Sequence, residues 1–207
     1  FESLVVRGSS SESLTRCALD ADLDLCNINM TTNDGLAGNT IYDGNNHTIY
    51  HVKRGETIVK YAEGTICGYG DNVTVQNLTI DGMTVDYTAT VHSSGNDYHA
   101  FGALAGFVGD GFKAENVTVK HMSMNLNLLG EETYPCYTHR LPAECIGGLI
   151  GYAKGSVTLT GCTVANMTVN VTDINENGET QFLIGGLISY ADALYTPYDA
   201  ERNWTND

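Results

Sequence analysis

Apolar and polar residues alternate in short bursts along this chain. In Val73-Thr74-Val75, Leu78-Thr79-Ile80 and Met83-Thr84-Val85 the outer two residues of each triplet are apolar and the middle one is polar. The pattern recurs as Phe112-Lys113-Ala114, Val117-Thr118-Val119 and Met122-Ser123-Met124, and again as Val157-Thr158-Leu159, Cys162-Thr163-Val164 and Met167-Thr168-Val169. Successive side chains of a strand point to opposite sides, so each triplet predicts a strand with its apolar pair facing in and its polar residue facing out. Few segments show the spacing of a long amphipathic helix.

Two-residue bends separate the triplets, and their residues fall in columns. Asn77, Asn116 and Gly161 form one column, and Gly82, His121 and Asn166 form the next. Gly and Asn tolerate left-handed backbone, and His does so better than most residues, so each column predicts a corner that is turned the same way in every copy. Gly-rich hexapeptides precede the blocks at Gly64–Tyr69, Gly102–Phe107 and Gly147–Tyr152, and a fourth stands at Gly185–Tyr190. Their starts are 38, 45 and 38 residues apart, as expected for strands in fixed register joined by loops of variable length. One copy cannot bury its apolar face alone, whereas stacked copies close a continuous core. The expected fold is all-β: a parallel β-helix of roughly six coils, stacked at about 4.8 Å into a body roughly 30 Å long. It forms a single domain over 1–207, with a cap segment at 1–35, repeat coils at 36–191, a loop insertion at 128–144 and a C-terminal tail at 192–207.

The hexapeptides and the blocks after them resemble the GLUG-type repeats of surface and adhesin-like proteins. The segment Ile146–Ala153 followed by Thr160-Gly161-Cys162-Thr163-Val164 carries the likeness best. Leu19-Asp20-Ala21-Asp22-Leu23-Asp24-Leu25 is similar to the strand that often precedes such repeats, and Ile41–Ile49 is similar to the coil that follows it. Together the matches span most of residues 17–191. The resemblance implies a right-handed parallel β-helix in an extracellular protein. It supplies no catalytic residue set and no ligand. The 128–144 insertion and the tail depart from the repeat.

Charge and cysteine usage narrow the partners. The formal net charge of −15 repels nucleic acid phosphates and anionic lipid, which sets both aside as main partners. No apolar run approaches the length of a membrane-spanning helix, so no membrane insertion is expected. The chain opens on Phe1 rather than Met and without a leader-like segment, which reads as a processed or trimmed chain. None of the six cysteines forms a C-x-x-C pair. Cys136 and Cys145 flank a short segment containing Pro142 and are one candidate disulfide; Cys17 and Cys26 are the other. Oxidised cysteines imply an extracellular setting.

The candidate chemistry is sparse. Eight Asn-x-Ser/Thr sequons begin at Asn29, Asn46, Asn72, Asn77, Asn116, Asn166, Asn170 and Asn203. They mark candidate N-glycosylation sites, but a corner Asn, an inward apolar residue and an outward Thr write the same motif by fold logic alone. Outward Thr residues form columns, one of them interrupted by Lys113, and strand preference accounts for them. Asp43, Asp71, Asp81 and Asp86 are the acids a polysaccharide-cleaving β-helix would use, although turn formation explains the three beside Gly or Asn. His47 and His51 share a face but lack a third ligand, so neither a metal nor any other cofactor is expected. Tyr69, Phe107, Tyr152 and Tyr190 align across the four hexapeptides as an aromatic ladder. Tyr195, Tyr198 and Trp204 lie outside the repeat as candidate assembly contacts. The leading expectation is a secreted, non-enzymatic structural or adhesive module that self-associates end to end. A carbohydrate-active enzyme and a glycan-binding module that recognises surface glycans are the alternatives.

Overall fold

The computed structural model describes residues 15–26, 39–55, 62–91, 99–130, 144–173 and 182–192. Asn29, Asn203, Cys136, Tyr195, Tyr198 and Trp204 lie outside the described residues, as does most of the 128–144 insertion. The described chain is strand and turn throughout, with no helix. It opens with β1 (Thr15–Ala18), β2 (Leu23–Asp24), β3 (Thr40–Asp43), β4 (Thr48–Tyr50) and β5 (Lys53–Gly55). Next come β6 (Ala62–Glu63), β7 (Cys67–Gly70), β8 (Val73–Asp81) and β9 (Thr84–Val91). The third group is β10 (His99–Gly102), β11 (Ala105–Val108) and β12 (Phe112–Gly130). The last strands are β13 (Glu144–Gly147), β14 (Ile150–Lys154), β15 (Val157–Thr160), β16 (Thr163–Asp173), β17 (Phe182–Gly185) and β18 (Ile188–Asp192).

These strands build three sheets in which every pairing is parallel. The main sheet has ten strands and runs through β1-β3-β8-β12-β9-β5, with β15 and β16 also on β12, and β4 bridging β2 and β8. The two side sheets have four strands each, in the orders β17-β13-β10-β6 and β18-β14-β11-β7. From β6 onward the chain visits the sheets in a repeating order: the β6–β17 side sheet, the β7–β18 side sheet, then the main sheet. Each visit adds a strand beside the previous one.

The register is the one the triplets write. Thr74 pairs with Lys113 and Lys113 with Thr158; Ile80 pairs with Val119 and Val119 with Val164. Inward columns therefore stack like on like, and the interior is a continuous apolar cluster that includes Val75, Ile80, Phe112, Val119 and Met124, each 0% exposed. Both predicted corners carry positive φ, at Asn77 (50°), Asn116 (52°) and Gly161 (63°), and at Gly82 (77°), His121 (52°) and Asn166 (58°). His51 (53°) extends the second column, and Asn39, Asn72 and Gly111 form a third corner that the bends alone did not reveal. The turns within the Gly-rich hexapeptides stack rung on rung through the Leu104 amide to the Leu149 carbonyl and the Leu149 amide to the Leu187 carbonyl, both 2.9 Å. Gly102 permits that approach, since a Cβ there would lie 2.4 Å from the Leu149 carbonyl oxygen of the next rung.

The expected bridge between Cys17 and Cys26 is corrected: both are free thiols. Cys17 sits on β1 and packs against the core, whereas Cys26 is exposed in the turn after β2 with its thiol toward the Asp24 carbonyl. Cys17 is held in the β1–β3 pairing opposite Tyr42, whereas Cys26 lies beyond β2 in a turn with φ of 48°. Cys145 is buried on β13 against Ala100 and Tyr152.

Candidate functional site

The candidate acids serve as joints between rungs. Asp43, at the end of β3, accepts from the Asn45 amide at 2.9 Å and Asn77 Nδ2 at 3.2 Å on Oδ1, and from Arg16 at 2.8 Å and Gln76 Nε2 at 2.7 Å on Oδ2. Burial opposes its ionisation, but the Asn45, Gln76, Arg16 and Asn77 hydrogen bonds outweigh that and hold the carboxyl at about 2. A carboxylate so saturated is a poor general base at neutral pH. Asp81 receives His121 Nδ1 at 2.7 Å, and Asp86 receives Asn125 Nδ2 at 2.7 Å. None of Asp43, Asp81 and Asp86 has a second carboxylate as its register partner. Asp71 leans from its turn toward Gly109, where a Cβ would meet its Oδ1 at 1.9 Å.

The polar residues outside the core form ladders along the stacking direction. One runs from Asp43 to Asn77 to Asn116, where Asn116 Nδ2 donates to Asn77 Oδ1 at 3.3 Å. A second runs from Asp86 to Asn125 to Asn170, where Asn170 Nδ2 donates to Asn125 Oδ1 at 2.9 Å. In both, an amide donates back toward the N-terminal rung and the series begins at an acceptor-only Asp. His47 and His51 join this scheme rather than each other, since they meet Asp22 at 3.2 Å and Asp24 at 2.9 Å. The Cys26 amide and His51 lower the pKa of Asp24. No group of three or more metal-ligating side chains occurs among the described residues, and no helix there is long and apolar enough to cross a membrane. Sequence reasoning missed these ladders. Their signal is a carboxylate or amide recurring every 34 to 45 residues.

The aromatic column forms as expected and is partly covered, with Phe107 and Tyr190 half-buried. Tyr69, Phe107, Tyr152 and Tyr190 stack with ring centroids 5.8, 4.9 and 5.2 Å apart. Tyr152 is buried against Ala100 and Cys145, while Tyr69 is 38% exposed.

Exposed apolar side chains gather at the C-terminal end of the sheets. Strands β15 and β16 pair only with β12, β17 only with β13, and β18 only with β14, so among the described residues their outer edges carry no strand. Apolar side chains come to the surface there: Ile184 is 56% exposed, Leu187 39% and Val171 37%. Val157, Leu159, Val164, Met167 and Val169 are only partly buried, although each occupies an inward column. The long edge strand β16 reads TVANMTVNVTD, with no Lys, Arg or Pro and one charge at its last residue. Edge strands that resist pairing carry charge, proline or a bulge, and the first ten residues of β16 carry neither charge nor proline.

The described sequons divide by environment. Asn72, Asn77, Asn116 and Asn170 each donate Nδ2 to a neighbouring rung. Asn46 and Asn166 are exposed at corners. Compared with family models, with curated proteins and with solved structures, the chain matches none of them.

Proposed function

We propose that this chain is a right-handed parallel β-helix of GLUG type and an extracellular structural or adhesive module that stacks end to end with further copies. The solenoid reading rests on the repeated order in which the chain visits three all-parallel sheets. The observation that carries the assembly reading is the outer edge of β16, unpaired among the described residues and uncharged over its first ten positions, beside apolar side chains that one more rung would cover. A second copy stacked on that edge extends the same parallel pairing and the same inward columns, and uniform strand polarity makes the contact head to tail, which generates a filament rather than a closed dimer. Hydrogen bonds along the added strand supply affinity, and the alternate side chains set the register. The anchoring roles of Asp43, Asp81 and Asp86 weigh against a polysaccharide-cleaving enzyme, and the partial cover over the aromatic column weighs against a glycan platform.

Sedimentation velocity of the unglycosylated chain over a concentration series tests the assembly. Species that grow with concentration, and that disappear in a Thr163→Lys, Thr172→Lys variant of β16, are expected. A wild-type chain that stays monomeric at high concentration contradicts the reading, as does assembly that the two lysines leave unchanged.

A further inference from the structure

We propose that the fold sorts its sequons, and that Asn46 and Asn166 are the two described positions that accept an N-linked glycan. In that reaction Nδ2 attacks C1 of an oligosaccharide carried on a lipid pyrophosphate. A C–N bond forms, the C1–O bond to phosphate breaks, the lipid pyrophosphate leaves and Nδ2 loses one proton, with no change of oxidation state. The product retains a single N–H and carries a sugar ring beside it. An acceptor compatible with the folded chain therefore needs an uncommitted Nδ2 and open space around it.

Four described sequons fail that requirement. Asn77 Nδ2 is committed to Asp43, and Asn77 Oδ1 receives Asn116, so the Asn77 amide is held from both neighbouring rungs. Asn116 donates to Asn77 and faces Gly161 on its other side, where a Cβ would lie 2.7 Å from Asn116 Oδ1. Asn72 donates to Asn39 and approaches Gly111 in the same way. Adjacent rungs stand about 4.8 Å apart, which leaves no room for a sugar between stacked amides. Asn170 donates to Asn125, and a substituent on its nitrogen competes with that ladder bond.

Asn46 and Asn166 meet the requirement. Both are exposed, both sit at left-handed corners with φ of 63° and 58°, and neither side chain donates a hydrogen bond to any group among the described residues. The required Thr follows each at Thr48 and Thr168. Asn46 stands next to Asn77 in the stack, its backbone N–H donating to the Asn77 carbonyl at 2.8 Å, yet it escapes the amide ladder because Asp43 takes the Asn77 side chain. Asn166 follows His121 in its column, and His121 Nδ1 is committed to Asp81.

The test uses the full chain with Asn29→Gln and Asn203→Gln, secreted from a eukaryotic host that N-glycosylates. Intact mass and a glycopeptide map of the folded, secreted protein are read. At most two glycans are expected, at Asn46 and Asn166, and Asn46→Gln with Asn166→Gln abolishes them. Occupancy at Asn72, Asn77, Asn116 or Asn170 overturns the proposal, and so does a secreted chain that carries no glycan. The map is read on the monomeric secreted chain, because a glycan on Asn166 and a second copy stacked on β16 compete for the same edge.

Discussion

Val119 and Val164 are register partners on adjacent strands, one in β12 and the other in β16. Their triplets are nearly interchangeable, VTV and CTV, yet Val119 is 0% exposed while Val164 is only partly buried. The same contrast holds for Met122 against Met167 and for Met124 against Val169. What separates the two regions is position in the stack. β12 has β8 and β9 on one side and β15 and β16 on the other, whereas among the described residues β16 has a neighbour on one side only. In a parallel sheet, a residue's contribution to stability depends on how many neighbouring strands cover it as well as on its chemistry.

This contrast can be sharpened by mutation. Met122→Ala is expected to cost about 3 kcal/mol, the usual loss for a methionine removed from a filled core, while Met167→Ala costs about 1 kcal/mol or less. Denaturant titration of both variants checks this, and equal losses would show that something already covers the last rung. At the edge itself, Thr163→Lys with Thr172→Lys is expected to weaken self-association at least about tenfold, a change of roughly 1.4 kcal/mol, with little loss of monomer stability. A glycan on Asn166 is expected to act in the same direction, because that residue lies within β16.

A smaller effect concerns the N-terminal side, where acidic anchors finish the ladders. Asp43 is depressed to about 2, below its ordinary value near 4 in an unfolded chain. A depressed carboxylate stabilises the fold above its unfolded pKa and loses that contribution as pH falls through its folded pKa. Acid titration of stability is therefore expected to steepen between about pH 4 and pH 2, and Asp43→Asn to flatten that step. The smallest effect is on thiol reactivity and leaves stability unchanged. Burial pushes the Cys67 thiol up to about 12 with Asp71 adding to it, so Cys26 is expected to label quickly in the native protein and Cys67 only after unfolding.

Much of the interior was legible because alternation and corner chemistry are local. Val75, Ala114 and Leu159 align by reading triplets, and Asn77, Asn116 and Gly161 align by reading bends. The ladders were less legible because their partners lie 34 to 45 residues apart and mix residue types, as in Asp86, Asn125 and Asn170. The Cys17–Cys26 expectation failed because nearness in sequence says nothing about which side of a strand or turn each thiol takes. Nor does any local feature of β16 mark it as the last long strand. Its sequence follows the same rule as β12, and exposure arises only from what does or does not stack beyond it. The candidate site was legible in outline as an end of the stack, whereas its location on β16, Ile184 and Leu187 required the topology.

Hydrogen exchange of the wild-type chain at low and high concentration tests the stacking of copies on β16 most directly, with β12 as the internal reference. A buried, doubly paired strand exchanges only on large-scale opening, whereas edge amides without a partner exchange readily. End-to-end stacking predicts that β12 is protected at both concentrations and that the β16 amides pointing away from β12 are fast in dilute solution and become protected as concentration rises. Protection of those β16 amides equal to that of β12 in the dilute monomer, or exchange there that does not slow with concentration, would contradict it.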